Sequence, residues 1–130
     1  MPREGKATRV IDIVRRDIST CALNDRLGDI NEKVSSAGKN VCVVLNDEQI
    51  VLGRVRGKAF DGDPDTKVED AMRSGPATIR PDVFLHDIGP RMHDRRVGSY
   101  IVTTALGRFV GILYRDDADR ALDDQVKRDH

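Results

Sequence analysis

The chain repeats itself. Displaced by 58 positions, residues 10–59 align with residues 68–117 without a gap, since 68 − 10 = 58. Val10 falls on Val68, Asp12 on Asp70, Arg15 on Arg73 and Thr20 on Thr78. Leu27, Asp29 and Ile30 fall on Leu85, Asp87 and Ile88, Val44 on Val102 and Gly53 on Gly111. These are nine identities in 50 pairs, where unrelated sequence of ordinary composition would share roughly three. The repeat limits the fold because what one copy forms the other must also form. A unit of about 58 residues is marginal alone. The whole chain, at 130 residues, is a typical domain and buries roughly two-thirds of its unfolded surface.

Each copy opens with a short helical pattern. Val10, Ile13 and Val14 match Val68, Ala71 and Met72, at the spacing of one helix face. A short strand follows, Ser19-Thr20-Cys21 or Ala77-Thr78-Ile79. Then Leu23, Leu27, Ile30 and Val34 match Pro81, Leu85, Ile88 and Met92, an amphipathic helical stripe. Asn24 and Asp82 are the side chains expected to start these helices. Two β-branched runs around a polar turn complete each copy: Val41–Leu45 and Ile50–Val55, then Tyr100–Thr103 and Phe109–Tyr114. A closing helix is expected from Asp116 to about Lys127. After the first copy it is cut short by Gly57 and by Asp61-Gly62-Asp63-Pro64. The expected organisation is a first repeat over 1–60, a linker over 61–67 and a second repeat over 68–130. Docking of two such sheets would explain strands that are apolar throughout.

Apolar residues make up 38% and charged residues 34%, with 22 basic and 22 acidic side chains. That balance makes nucleic acid an unlikely partner, because such proteins usually carry a basic excess. No apolar run approaches the roughly 20 residues of a membrane span. Met1–Arg9 lacks the apolar core of a signal peptide, so a cytoplasmic protein with no membrane contact is expected. Cys21 and Cys42 lie in apolar runs without a metal-ligand pattern and read as buried, reduced thiols.

In order and content, the two copies resemble CBS (cystathionine β-synthase) domains. Val68-Glu69-Asp70-Ala71-Met72 is similar to the opening helix of that family. Pro76-Ala77-Thr78-Ile79 with Asp82–Met92 is similar to its first strand and helix, and Gly107–Leu113 to its second hairpin. The resemblance implies an α+β fold: two repeats, each a mostly three-stranded sheet with flanking helices, packed with pseudo-two-fold symmetry. It also implies a homodimer and a regulatory, non-catalytic role. The ligand is an adenosine-containing molecule (AMP, ADP, ATP or S-adenosylmethionine) held in a cleft between repeats, and the target is an unidentified protein. No cofactor is required; a bound adenine nucleotide is the ligand implied.

The family's ligand motif is Gly, two apolar residues, Thr or Ser, two residues, then Asp. A hydroxyl at the strand end meets phosphate, the following helix N-terminus favours the anion, and the Asp accepts from the ribose hydroxyls. The second copy reads Gly111-Ile112-Leu113-Tyr114-Arg115-Asp116-Asp117, with Tyr114 in the hydroxyl position and Asp117 as ribose anchor. Thr78, Tyr100 and Ile101 stand where the family wraps adenine. The first copy reads Gly53-Arg54-Val55-Arg56-Gly57-Lys58-Ala59, without hydroxyl or acid. Arg54 and Arg56 alternate on a strand and share a face, so both are candidates for a phosphate.

Other constellations carry less. Asp61, Asp63 and Asp65 alternate like a calcium loop, but Thr66 and Met72 occupy the positions of its Gly and Glu. His86 and His93 have no third ligand in their neighbourhood. Arg91, Arg95 and Arg96 read as solvated charge. No catalytic triad or glycine-rich phosphate loop is present, and no enzyme is expected. The alternative to a ligand sensor is a ligand-free dimerisation or interaction module with a degenerate nucleotide site.

Overall fold

A computed structural model describes residues 7–37 and 40–128. Met1–Lys6 of the polar N-terminal stretch and Asp129–His130 of the charged C-terminal run lie outside the described residues. The chain forms two compact units. Among the described residues, the first comprises 17–77 with 105–109; the second comprises 7–16, 78–104 and 110–128.

In the first unit β1 (Thr20–Cys21) runs through α1 (Leu27–Ala37) to β2 (Val41–Leu45), then β3 (Val51–Arg56). β1 and β2 are parallel, so a crossover must join them, and α1 is that crossover. β2 and β3 form an antiparallel hairpin closed by Asn46, whose side-chain oxygen accepts from the Glu48 and Ile50 amides at 2.9 and 3.0 Å. A 3-10 turn over Gly57–Asp61 stands where the shortened closing helix was expected. After α2 (Val68–Ala71), the chain adds an edge strand, β4 (Arg73–Ser74), antiparallel to β3. Nothing in the sequence pattern announces β4, because it is two residues long and exposed. The core is Leu27, Ile30 and Val34 of α1 against Cys21, Cys42, Val44 and Val55, closed by Phe60 and Val68. Val41, Val43 and Leu45, on the other face of β2, are buried too.

The second unit repeats this plan. β5 (Thr78–Ile79) crosses through α3 (Leu85–Asp94) to β6 (Ser99–Thr103), which neighbours β7 (Phe109–Tyr114). α4 (Arg115–Arg128) is the expected closing helix. Leu85, Ile88 and Met92 pack on Tyr100, Val102, Leu113 and Ala118, with Val10 among them.

The opening segments change places. The 3-10 turn Val10–Asp12 of the first copy packs in the second unit, while α2 of the second copy packs in the first. The contacts obey the 58-residue register. Val10 donates to the Val83 carbonyl at 2.9 Å and Ile11 to Pro81 at 2.9 Å. Val68 donates to Asp25 at 2.7 Å and Glu69 to Leu23 at 3.2 Å.

The same exchange corrects the helix starts. Asn24 and Asp82 do not start the long helices. α1 begins at Leu27, whose amide donates to the Thr66 carbonyl at 2.9 Å; α3 begins at Leu85, whose amide donates to Thr8 at 2.9 Å. Free amides at a helix start need acceptors, and a distant stretch of backbone supplies them in both cases. Leu23 and Pro81 therefore precede the helices.

Candidate functional site

The end of β7 and the first turn of α4 place Tyr114 and Asp117 together in the second unit. Asp117 meets Arg15, brought there by the exchanged opening segment. Arg15 Nε donates to Asp117 Oδ2 at 2.6 Å and Nη2 to Oδ1 at 2.9 Å. This is the two-pronged geometry in which a guanidinium fixes a carboxylate most firmly. The Asp117 side chain is 12% exposed against 44% for Arg15, so the carboxylate is the sheltered partner. Arg120 Nη1 lies 3.5 Å from Oδ1, and the Arg15 guanidinium lies 5.9 Å from the centre of the Tyr114 ring. A cavity of about 280 Å³ opens here, lined by Ile13, Arg15, Asp117, Arg120, Ala121 and Asp124. Its charges balance, two basic against two acidic.

The remaining expected residues divide by burial. Thr78 is exposed on β5 and is the register partner of Ile101 on β6. Ile101 is fully buried, and Tyr100 is buried in the core cluster with Val10 and Leu85. The Tyr100 ring therefore supports the sheet from its core side.

Arg54 and Arg56 lie in the first unit, at the equivalent place. A cavity of about 520 Å³ is lined by Arg54, Arg56, Lys58, Ala59, Ala71, Met72 and Arg73. Under the register, Ala71 corresponds to Ile13, Arg73 to Arg15 and Ala59 to Asp117. The two cavities are thus counterparts with different chemistry: among the described residues, one holds an Arg–Asp pair, the other four cations and no acid. The sequence shows Arg15 and Arg73 as an identity between copies but assigns neither a role. Their signal was that identity, on a polar position where chance alone would rarely preserve it.

The other constellations have local partners. His93 Nε2 is 2.7 Å from Asp119, and His86 stacks on Phe84 at 5.3 Å. Asp63 accepts from the Asp65 amide at 2.9 Å, a turn-forming bond. Among the described residues no cluster of His, Cys, Asp or Glu could hold a metal. Cys21 and Cys42 are free and buried. Hydrogen bonding to Cys42, with burial, pushes the Cys21 thiol up, so it stays protonated.

A family model described as CBS domain matches residues 68–124. The solved CBS-pair protein CBSX2 from Arabidopsis thaliana superposes with a TM-score of 0.80 at 20% identity, covering 95% of this chain and 99% of that one. The fold is that of a CBS-domain pair. The CBS domains of a transcriptional regulator from Streptococcus pneumoniae give 0.78 at 18% identity, covering 87% and 98%. A CBS domain-containing protein from Bacillus anthracis gives 0.79 at 15%, covering 90% and 94%. No curated protein matches the chain closely enough to count as a relative. No helix among the described residues is long and apolar enough to cross a membrane.

Proposed function

We propose that this CBS pair is a cytoplasmic, non-catalytic regulatory module that binds an adenosine-containing ligand and modulates a protein partner, acting as a homodimer. The observation that carries the reading is Asp117 at the end of the ligand motif, sheltered in a cavity and oriented by Arg15. Each carboxylate oxygen has two lone pairs, so an Asp117 held by Arg15 retains acceptor sites for ribose hydroxyls. Tyr114 supplies a phenol in the hydroxyl position. CBSX2 has been solved in complex with AMP, and the cytosolic domain of the magnesium channel MgtE in complex with ATP; both have this fold. For binding to become regulation, the ligand must favour one of two arrangements of the protein over the other.

A second reading, a ligand-free interaction module, is favoured by one observation. Arg15 already satisfies both oxygens of Asp117, so the pair can serve stability alone. Titration calorimetry with AMP, ADP, ATP and S-adenosylmethionine separates the two. Under the first reading at least one ligand binds, and Asp117→Ala weakens it by about 1.5–3 kcal/mol, as for hydrogen bonds to a charged group. Absence of binding by all four would support the second; binding with equal affinity in the variant would remove Asp117 from the site.

A further inference from the structure

The first unit concentrates positive charge on one patch of sheet. Arg54 and Arg73 are register partners across the antiparallel β3–β4 pair, and partners directly opposite share a face. Arg56, two residues along β3, joins them. Lys58 follows in the 3-10 turn, and all four line the 520 Å³ cavity. Among the described residues no acid lines it.

The amount of charge selects the kind of anion. One phosphate monoester carries about 1.5–2 negative charges. Arg56, Lys58 and Arg73 alone exceed that. Two or more linked phosphates are needed for balance. The volume falls within the roughly 300–1,000 Å³ of small-ligand sites. Ala59 stands where the second unit has Asp117, and its methyl group cannot accept from a ribose. We infer that this pocket binds a chain of linked phosphates by charge and reads neither sugar nor base. The inference rests on the reading of the chain as a ligand-binding module and gives its two sites different ligand chemistry.

Two sources share that chemistry, a nucleoside triphosphate and an inorganic polyphosphate. Calorimetry on the full chain with inorganic tripolyphosphate, ATP, GTP and AMP, without divalent metal, tests the inference. Tripolyphosphate is expected to bind. The Arg56→Ala, Lys58→Ala double variant is expected to bind it at least about tenfold more weakly, the scale of lost charged hydrogen bonds. Salt is expected to weaken binding, because screening shortens the reach of the cations. Tripolyphosphate is expected to bind at least as tightly as ATP or GTP, since only the phosphates are contacted; ATP or GTP binding more than about tenfold more tightly than tripolyphosphate would show that sugar or base is read and would overturn the inference. Failure of tripolyphosphate to bind would overturn the inference. So would unchanged affinity in a double variant whose melting curve shows it folded. Loss of AMP binding in Asp117→Ala with no tripolyphosphate binding would leave the adenosine reading standing alone. Tripolyphosphate binding without any adenosine ligand at Asp117 would do the opposite.

Discussion

Gly53 and Gly111 are identical between copies for a reason only the fold displays. A Cβ on Gly53 would lie 2.7 Å from the Arg73 carbonyl oxygen and 2.8 Å from Met72 Sδ. A Cβ on Gly111 would collide with the Arg15 carbonyl oxygen and sit 2.7 Å from Val14 Cγ2. In both copies the glycine is where an exchanged opening segment crosses the last strand. We expect Gly111→Ala to cost about 1–3 kcal/mol, as for overpacking against atoms that cannot move aside. Gly98→Ala, with open space around its Cβ, is the matched control, and urea denaturation of both variants measures the difference. Equal stability of the two would remove the close approach as the explanation. Arg15 shows the same limit of a linear reading. Its identity with Arg73 is visible in the sequence, but its partner Asp117 is 102 residues away. No local pattern connects them, so the ribose candidate could be named and the residue that orients it could not.

Among the elements, the long strands were the most readable. β2 is buried at every position and β6 at four of five, so their apolar runs stand out of a charged chain. The helices were readable in their interiors and misplaced at their starts. Leu23 and Pro81 continue the apolar stripe but belong to the turns before α1 and α3. Caps supplied by the backbone of Thr66 and Thr8 leave no side-chain signature such as a capping box. α3 also contains Pro90 in its interior, where a proline removes one helical hydrogen bond and crowds the preceding turn. The corresponding residue in α1 is Glu32. Pro90 is exposed, so its replacement forfeits little packing. Pro90→Ala should therefore stabilise the protein. A helix-interior proline costs about 3 kcal/mol relative to alanine, and the freer unfolded chain returns about 0.4–1 kcal/mol of that. A gain of about 2–2.6 kcal/mol in denaturant unfolding is expected. A loss would mean that the ring contributes something the helix cannot replace.

At the scale of the whole chain, sequence order and compact units do not coincide. The sequence shows two consecutive copies, whereas each compact unit takes its opening turn from the other copy. A linear repeat cannot display such an exchange, because copies that keep or trade this segment have the same apolar pattern. Val10 is fully buried beside Leu85, Met92 and Leu113, so deleting residues 1–16 should expose the core of the second unit. The expected result is lost hydrogen-exchange protection at the amides of β6 and β7, far along the chain. Undiminished protection there would mark the segment as dispensable. The exchange also sets a timetable for synthesis. Leu85 is synthesised 75 residues after Val10, a delay of about 4–15 s at cellular elongation rates of roughly 5–20 residues per second. For that interval Val10 lacks Leu85, Met92 and Leu113, the neighbours that cover it in the fold. A segment synthesised with one copy finds its place only once the next copy has followed it.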